Sequence, residues 1–407
     1  MKPSVSIGVI GLGGRGRGLV EACILPRAEV RVAALCDIHE DRRNQAAAKV
    51  AEAAPGGPKP LVTGDYREVL AMKGLDAVLV SPGWTPHAEI ACAAMRAGLY
   101  TAVEVGGAYS IDDCWRLVRT QEETGIQCML LENCCFGRYE LLVLNMVRQG
   151  LFGEIVHCQG GYRHDLRAEI ANGWENRHYR KDNYLLRNCE NYPTHELGPI
   201  AEVLDINRGN RMVKLNSVAS KAAGLRDYIA ARKGAESPDA KLRFAQGDVV
   251  TTVITCARGE TIVLTLDTTL PRAYSRAFHV QGTKGMFSED NKTIFLDGVH
   301  DKFDFNSQGL WGNADTYFEK YEHPLWARYI QEGVQGGHDG MDWLEFTAFF
   351  NAVREGAPVP IDIYDMASWM SISALSEDSI AAGGAPVAIP DFTNGKWLTR
   401  RDKFCNS

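Results

Sequence analysis

Near its amino terminus the chain reads Val5-Ser-Ile-Gly-Val-Ile-Gly11-Leu-Gly13-Gly14-Arg15-Gly16, an apolar run followed at once by a cluster of glycines. The run predicts a buried strand, and the glycines predict a turn into a helix. Glycines at G-x-G-x-x-G spacing permit a tight turn, let the backbone approach a pyrophosphate, and bring helix and strand close together. The segment therefore predicts a dinucleotide-binding fold. The cofactor contacts expected from this turn are Gly11, Gly13, Gly14, Arg15 and Gly16.

A second apolar run, Val30–Cys36, ends at Asp37, about 20 residues after the last of these glycines. In dinucleotide-binding folds an acid at this distance hydrogen-bonds the 2′-hydroxyl of the adenosine ribose and repels a 2′-phosphate. We therefore expect Asp37 to favour NAD over NADP. Arg42 and Arg43 come too late in the chain for an adjacent phosphate clamp.

Strand and helix patterns alternate from the start of the chain to about residue 130, which is typical of a parallel, doubly wound sheet. Ligands of such sheets bind beyond the carboxyl ends of the strands. Three further segments belong to that edge, namely the loop 81–87, Glu104 and Asn133. We expect them to line the same dinucleotide as Asp37.

Beyond a predicted helix over 139–149 the pattern changes to strands with period-two alternation. The turns 257–260 and 281–285 predict hairpins, and hairpins indicate antiparallel pairing. The predicted fold class is therefore α/β, with an NAD-binding Rossmann domain over residues 1–131. An α+β substrate-binding domain with a large open antiparallel sheet is expected over residues 132–407, and its closing helices can pack back on the first domain.

The composition excludes several classes of protein. The net charge of −7 argues against a nucleic-acid partner, which would need a basic surface. The 11 cysteines are mostly scattered within apolar runs, so we expect reduced core thiols rather than a disulfide framework. Neither Cys-x-x-Cys nor His-Glu-x-x-His occurs, and no metal site is expected. No apolar run reaches the length of a membrane span.

The length and the start of the chain bear on where the protein resides. With 407 residues the chain can bury enough surface to fold without disulfide bonds or structural metal ions. The first strand begins by residue 5 and leaves no room for a signal peptide, so we expect a cytoplasmic protein. A trimmed export signal would instead place the mature chain in the periplasm or outside the cell.

Four later motifs are Leu131-Glu-Asn-Cys-Cys-Phe-Gly-Arg138, Leu144-Asn-Met-Val-Arg-Gln-Gly-Leu-Phe-Gly-Glu154, Gly161-Tyr-Arg-His-Asp-Leu-Arg167 and Tyr192-Pro-Thr-His195. The last three are far more specific than the glycine turn. They resemble glycoside hydrolase family 109, the NAD-dependent α-N-acetylgalactosaminidases, a branch of the glucose-fructose oxidoreductase and inositol dehydrogenase group. The resemblance runs from the first glycines to the closing helices. The wider group has Glu-Lys-Pro, with a lysine that assists proton transfer, where this chain has Glu104-Val105-Gly106. The missing lysine agrees with the glycosidase branch.

The resemblance implies a glycosidase cycle that does not use the usual pair of carboxylates. A hydride passes from C3 of the sugar to bound NAD⁺ and leaves a ketone, which acidifies the hydrogen at C2. A base removes that hydrogen, and the aglycone leaves C1 by elimination. Water then adds at C1 and the hydride returns to C3, so that the net oxidation is zero and NAD stays bound.

The resemblance also implies roles for single residues. His195 is the expected base, and Tyr274 is the expected acid or base at C2, or a hydrogen-bond donor there. His195 lies at a predicted helix start, where the helix dipole disfavours a protonated imidazole, although it could also merely cap the helix. The implied substrate contacts are Glu132, Tyr162, Arg180, Tyr192, His195 and Tyr274. The cofactor contacts that the resemblance adds are Trp84, His87 and Val105.

Two of these assignments have structural alternatives. Glu132 follows a predicted strand, where its carboxylate can accept sugar hydroxyls, but it can equally form a salt bridge with Arg138. His164, Asp165 and Arg167 are the next candidates, and a charged cluster at a strand end is as often structural.

One position departs from the family, which usually has glycine after Tyr-Pro-Thr-His. This chain has Glu196 there. An extra carboxylate beside the base could favour the protonated histidine or bind a different sugar substituent. The expected substrates are therefore N-acetylgalactosaminides or related glycosides.

The leading hypothesis is thus an NAD-dependent glycosidase acting on a small-molecule carbohydrate. Two alternatives stay open: a net NAD-dependent sugar or polyol dehydrogenase of the same fold, and a non-catalytic NAD-binding regulator. In the group that the chain resembles, an exposed sheet face often forms a dimer surface, so a homodimer is expected.

Overall fold

The computed structural model describes residues 2–106, 110–300, 305–401 and 404. The chain divides into two compact units. The first takes its residues from Met1–Phe136, Arg328–Ala367 and Phe404–Ser407, and the second from Gly137–Ala327 and Ser368–Lys403. The boundary expected between residues 131 and 132 stays a prediction.

Strands and helices alternate along the described residues. The strands are β1 (Val5–Ile10), β2 (Val30–Cys36), β3 (Leu61–Thr63), β4 (Ala77–Val80), β5 (Tyr100–Glu104), β6 (Cys128–Leu131), β7 (Ile155–Arg163), β8 (Met212–Ala219), β9 (Val249–Cys256), β10 (Thr261–Asp267), β11 (His279–Gly282), β12 (Gly285–Ser288), β13 (Thr293–Leu296) and β14 (Val387–Ala388). The α-helices are α1 (Gly14–Leu19), α2 (Glu40–Ala53), α3 (Tyr66–Leu70), α4 (His87–Arg96), α5 (Ile111–Thr124), α6 (Arg138–Arg148), α7 (Arg167–Ala171), α8 (Arg180–Leu186), α9 (Thr194–Val203), α10 (Gly224–Lys233), α11 (Ala314–Tyr321), α12 (Pro324–Glu332), α13 (Met341–Glu355) and α14 (Ile363–Ala381).

The first unit is built on a six-stranded sheet in the order β3-β2-β1-β4-β5-β6, and all its strand pairs are parallel. The strands are short apolar runs, because both faces of a doubly wound sheet are covered by helices. The order reverses direction between β1 and β4, and ligands bind at such a switch point. The predicted Rossmann fold is confirmed, and its binding edge lies where β1, β2, β4, β5 and β6 end.

The glycine turn after β1 has no room for side chains at two positions. Gly11 has a φ of +97°, and a Cβ there would lie 2.2 Å from the backbone nitrogen of Pro82. A Cβ on Gly16 would lie 2.1 Å from the carbonyl oxygen of Gly11. The first glycine is therefore required by backbone conformation and the last by the close approach of α1 to the end of β1.

The helices of the first unit begin and end where local chemistry favours it. The Ser110 hydroxyl accepts a hydrogen bond from the backbone N–H of Asp113 at the start of α5, and Gly125 ends that helix in the left-handed conformation. Asp65 caps α3 in the same manner through the backbone N–H of Arg67. These local signals determine where α3 begins and where α5 begins and ends.

The second unit contains an eight-stranded sheet in the order β13-β12-β11-β7-β10-β9-β8-β14. The predicted hairpins β9–β10 and β11–β12 are confirmed. The sheet is mixed rather than purely antiparallel, because β7 and β10 pair in parallel. The chain between these two strands contains α7–α10, β8 and β9, and a connection of that length can return a strand in the same direction.

Two further properties of the described residues bear on the sequence predictions. The ten described cysteines, which include every cysteine except Cys405, are buried and carry free thiols. None of the described helices has both the length and the apolar composition that a membrane span requires.

We predict that Gly16→Ala lowers the free energy of unfolding by about 3 kcal/mol, because the added Cβ overlaps the carbonyl of Gly11. Gly18→Ala is the matched control, because a Cβ at Gly18, in the same helix, meets no described atom within 4 Å. That control should raise stability by about 0.5–1 kcal/mol. Urea unfolding measures both values, and equal changes in the two variants would contradict the steric interpretation.

Candidate functional site

The open side of the glycine turn lies at the start of α1. Within the described chain, a Cβ on Gly14 would meet no atom within 4 Å, and one on Gly13 would meet only a guanidinium nitrogen of Arg42, at 3.6 Å. Gly13 precedes the first turn of α1, and the backbone N–H groups of a first helical turn have no partners within the helix. This cavity and these donors fit the pyrophosphate of a dinucleotide.

Asp37 is held at the end of β2 by two backbone N–H groups. Leu12 donates to its Oδ2 at 2.7 Å and His39 donates to its Oδ1 at 2.8 Å. A carboxylate oxygen can accept more than one hydrogen bond, so each oxygen keeps capacity for a ribose hydroxyl. Asp37 is thus oriented as the predicted ribose-binding acid requires.

Arg42 and Arg43 were expected to come too late in the chain to form a clamp for a 2′-phosphate beside Asp37. Arg43 nevertheless lies beside Asp37 and donates to its backbone carbonyl, at 2.7 Å. Arg42, however, reaches the open side of Gly13. The reason is that α2 begins at Glu40, just beyond β2 at the binding edge, so its first turn faces the glycine turn.

Arg15 leaves the glycine turn and joins two carboxylates. Its Nε donates to Glu104 Oε1 at 2.8 Å, and its two terminal nitrogens donate to the two oxygens of Asp342 at 2.8 and 3.0 Å. A two-pronged pair of guanidinium and carboxylate is stronger and more directional than a single ionic contact. Arg15 therefore ties the glycine turn to the end of β5 and to α13.

Asp342 is the centre of this network, and the sequence analysis missed it. It also accepts a hydrogen bond from the Asn133 amide nitrogen at 2.8 Å and lies 2.8 Å from Nδ1 of His338. Burial alone would raise the pKa of Asp342, but the hydrogen bonds from His338 and Arg15 outweigh burial and hold that pKa well below its usual range. Asp342 is therefore ionised at neutral pH.

Glu345 lies one helical turn after Asp342 and is fully buried. Burial raises the pKa of Glu345 well above its usual range, and the charges of Asp342 and Glu104 raise it further. Both effects favour the protonated form of Glu345. Arg15 is bonded to two other carboxyl groups, Glu104 and Asp342, and negative charge at this edge would suit the cationic ring of oxidised nicotinamide.

Two residues of the loop 81–87 lie in the interior of the first unit. Trp84 packs on Gly106, where a Cβ would lie 2.0 Å from the indole nitrogen. His87 is 1% exposed, and its Nε2 donates to the carbonyl of Pro82 at 3.0 Å. Burial lowers the pKa of His87 to about 4, so the imidazole is neutral. Both side chains hold the loop from within, and their contact with the cofactor stays a prediction.

Glu132 and Val105 are also buried in the first unit. Oε1 of Glu132 accepts a hydrogen bond from the backbone N–H of Cys134 at 3.1 Å, in the 3₁₀ turn Asn133–Phe136. Arg138, the partner considered for Glu132, donates instead to Glu322, from Nε at 2.8 Å. The salt bridge between Glu132 and Arg138 stays an alternative.

Four of the six expected substrate contacts lie together in the second unit. The rings of Tyr162 and Tyr192 have centroids 4.3 Å apart, and the imidazole of His195 meets them edge-on at 5.5 and 4.9 Å. The guanidinium carbon of Arg180 lies 5.0 Å from the ring centroid of Tyr192. Aromatic faces beside a cation and an imidazole can contact both the C–H groups and the hydroxyls of a sugar. We call these four residues the aromatic cluster.

Tyr274 approaches the aromatic cluster through His164. The rings of His164 and Tyr274 are 5.1 Å apart and nearly perpendicular, and the Tyr162 hydroxyl lies 3.5 Å from Nδ1 of His164. A β-bridge between Arg163 and Ser275 holds the two segments side by side. Tyr274 is 51% exposed, as a residue that meets a ligand from solvent would be.

The secondary candidates His164, Asp165 and Arg167 separate into two kinds. Asp165 and Arg167 bond to each other, with Arg167 Nη2 at 2.6 Å from Asp165 Oδ2, which favours a structural role. Burial, aided by the charge of Arg180, lowers the pKa of His164 and keeps its imidazole neutral at neutral pH. His164 is therefore the strongest of the three candidates for a role at the site.

His195 is the second residue of α9, which begins at Thr194, so the predicted helix start is confirmed. The cap position belongs to Pro193, and the ring of His195 faces the two tyrosines. His195 therefore does more than cap the helix. An imidazole on rigid backbone beside two phenols can accept or pass on a proton.

Comparisons with known proteins agree with this arrangement. A family model described as the C-terminal domain of glycosyl hydrolase 109 matches residues 136–399, and the NAD-binding Rossmann fold of an oxidoreductase family matches residues 5–131. The chain belongs to glycosyl hydrolase family 109. The first domain is an NAD-binding Rossmann domain.

Two relatives show how similar the members of family 109 are to this chain. A glycosyl hydrolase family 109 protein of Stenotrophomonas maltophilia is 40% identical, over 98% of this chain and 91% of its own length. An alpha-N-acetylgalactosaminidase of Tannerella forsythia is 38% identical, over 92% of this chain and 83% of its own length.

Solved structures share the fold at low identity. Levoglucosan dehydrogenase in complex with NADH and L-sorbose has a TM-score of 0.70 at 19% identity, covering 96% of this chain and all of that one. Scyllo-inositol dehydrogenase from Lactobacillus casei, with NAD(H) and scyllo-inositol, has a TM-score of 0.65 at 14% identity, covering 95% and 99%. The family, the fold and the cofactor predicted from the sequence are confirmed, while the roles of single residues stay predictions.

We predict that Asp342→Asn weakens NAD⁺ binding about tenfold, which corresponds to about 1.4 kcal/mol, because Arg15 loses its ionised two-pronged partner. Calorimetric titration of the family 109 protein measures this change. Asp339→Asn is the matched control: Asp339 is exposed, its φ of +55° suits asparagine, and it precedes the same helix. An equal loss of affinity in both variants would contradict the network.

We also predict a pH-dependent stability term from His87. Its pKa in the folded chain, about 4, lies below the ordinary value of 6.5, so only the unfolded chain takes up this proton between those values. Stability is therefore lost as pH falls through that window, by about 3 kcal/mol in total. The difference in free energy of unfolding between the parent protein and His87→Gln should shrink as pH falls over the same range. His39→Gln is the control. A difference that does not vary with pH would contradict the prediction.

Proposed function

We propose that this chain is an NAD-dependent glycosidase that cleaves α-N-acetylgalactosaminides or closely related glycosides. The observation that carries the proposal is the aromatic cluster of Tyr162, Arg180, Tyr192 and His195 in the domain that matches family 109. The name of the Tannerella forsythia relative supports the substrate class. NAD, when bound, supplies a hydride acceptor for the first step and a hydride donor for the last.

The second unit supplies groups that can bind and deprotonate the sugar. The imidazole of His195 accepts the hydroxyl proton at C3 when the hydride leaves, and returns it at the end of the cycle. The rings of Tyr162 and Tyr192 exclude water from one side of the imidazole, and the Arg180 guanidinium can donate to sugar oxygens or an acetamido carbonyl. Base and sugar-binding groups thus stand on neighbouring rigid elements.

Tyr274 is the proposed acid or base at C2. A phenol ionises only near pH 10 without help, so it needs an acceptor for its proton. The neutral imidazole of His164, 5.1 Å away between ring centroids, can supply one. Its exposure lets Tyr274 reach a bound sugar and exchange protons with water.

Glu132 is the proposed acid for substrate in the first unit. Its Oε1 accepts a hydrogen bond from the backbone N–H of Cys134, which orients the carboxyl group. A carboxylate oriented in this way can accept hydrogen bonds from sugar hydroxyls. The missing lysine after β5, where Val105 stands, argues against a net dehydrogenase of the same group.

The assembly and the compartment are part of the proposal. Val218 and Val253 lie on the open face of the second sheet, 58% and 40% exposed, and such apolar exposure supports a homodimer formed through that face. The buried free thiols support the reducing environment of the cytoplasm.

An aryl α-N-acetylgalactosaminide tests the activity. We expect phenol release without accumulation of NADH, and deuterium from the solvent at C2 of the freed sugar. His195→Ala should lower the rate of cleavage about 10³-fold while NAD⁺ binding is kept, because only the proton-accepting group is lost. His157→Ala removes an imidazole from the other end of β7, where it bonds to Thr261, and is the matched control.

Other outcomes would reject the proposal. NADH formed in proportion to sugar, with the glycosidic bond intact, would indicate a net dehydrogenase. Neither cleavage nor NADH, in protein that binds NAD⁺, would indicate a regulator. Undiminished cleavage in His195→Ala would reject the assigned base.

A further inference from the structure

Glu196, which stands where family 109 usually has glycine, is buried in the second unit. Its side chain is 1% exposed and packs against β7, where a Cβ on Gly160 would lie 2.6 Å from the Cβ of Glu196. The glycine in β7 thus makes the space that the glutamate occupies. This placement argues against direct contact between Glu196 and a sugar substituent.

Glu190 is a second glutamate in the same interior and is fully buried. Its backbone is fixed by α14: the N–H of Glu190 donates to the Ser376 hydroxyl at 2.8 Å, and the Ser373 hydroxyl donates to the Glu190 carbonyl at 2.8 Å. Its side chain lies within hydrogen-bond reach of the carboxyl of Glu196. Among the described residues no cation forms a salt bridge with Glu190.

Two carboxyl groups in contact and out of water cannot both be ionised. Burial raises the pKa of Glu190 to about 8, while the neighbouring carboxyl of Glu196 and nearby backbone N–H groups limit the rise. A single proton between the two groups gives each a hydrogen-bond partner and leaves one negative charge. A charged hydrogen bond of this kind is strong and directional.

We propose that Glu190 and Glu196 share one proton and act as a positioning pair for the segment from Tyr192 to His195. This segment lies between the two glutamates in the chain and carries two members of the aromatic cluster. The shared proton closes it into a loop, so that the ring of His195 keeps its place against Tyr192. The catalytic part of this inference rests on the proposed function, while the shared proton does not.

Other titratable groups face the pair from each packed element. Tyr162 lies on β7, Arg180 on α8, and His195 and Glu202 on α9. Burial raises the pKa of Tyr162, the Arg180 charge lowers it, and the Glu196 charge raises it, so Glu196 acts electrostatically on the cluster. From α14 come only the hydroxyls named above, and from β10 the backbone of Leu266.

The sign of the pH effect follows from the proton count. The pKa of Glu190 in the folded chain lies above its ordinary value, so the folded chain holds a proton that the unfolded chain has released. The stabilisation is therefore complete at acidic pH and is lost as pH rises through about 8. Above that pH two buried charges repel each other and open the loop that carries His195.

Glu190→Gln and Glu196→Gln test the shared proton, because an amide donates permanently to the remaining carboxylate. We expect the thermal midpoint of each variant, relative to the parent, to rise by several degrees between about pH 5 and about pH 9. Apart from the carboxylic band of Glu345, the parent's infrared spectrum should show a second carboxylic carbonyl band that disappears over that range and is absent from Glu190→Gln. Asp378→Asn is the matched control, because it removes an exposed carboxylate from α14, and it should follow the parent protein.

Glu196→Ala tests positioning. We expect kcat to fall about 10- to 100-fold with NAD⁺ affinity unchanged, and Glu196→Gln to keep most of the rate and extend it to higher pH. Thermal shifts of each variant that are the same at both pH values, or equal intensity of the carboxylic band in the parent and in Glu190→Gln at acidic pH, would overturn the shared proton. Equal rates in Glu196→Ala and the parent would overturn positioning. A parent protein without glycosidase activity would reject the proposed function but leave the thermal and infrared outcomes decisive.

Discussion

The first unit depends on the contact between Gly16 and the carbonyl of Gly11, because this contact brings α1 against the end of β1 with no side chain between them. A turn this tight places Gly13 and Gly14 at the start of α1, where the backbone N–H groups of a first helical turn have no partners within the helix. It also aims the N–H of Leu12 at Asp37 and so orients the proposed ribose-binding acid. The proposed contacts to phosphate and to ribose therefore depend on one backbone geometry.

The guanidinium of Arg15 is the central cation of a network of carboxyl groups in the first unit. Arg15 bonds to Glu104 and Asp342, while burial, together with the charges of Asp342 and Glu104, raises the pKa of Glu345 well above its usual range. Negative charge at this edge would stabilise a cationic nicotinamide more than a neutral one. Because Arg15 belongs to the glycine turn, this charged network is attached to the turn that is expected to bind the pyrophosphate.

Local sequence patterns were sufficient for the elements and for the residues that belong to them. The glycine spacing and the distance to Asp37 predicted the cofactor turn, because both are consequences of one strand–turn–helix unit. Asp342 could not be predicted, since it lies 327 positions from Arg15 and nothing near it in the chain marks it. The parallel pairing of β7 and β10 was missed for a similar reason: hairpin turns report only on neighbouring strands. The aromatic cluster was expected only through resemblance, since Tyr162, Arg180 and Tyr192 lie in segments with no shared local pattern.

Buried carboxyl groups are stabilised in a different way in each of the two units. The two units should therefore respond differently to a change in pH. Asp342 is held ionised by a guanidinium that never loses its charge in the physiological range, so the network around Arg15 is insensitive to alkali. Glu190 and Glu196 have a proton in place of a guanidinium, and a proton can leave. A rise in pH should therefore disturb the segment that carries His195 before it disturbs the cofactor turn. A rise in pH should then impair proton transfer to the sugar before it impairs the binding of NAD.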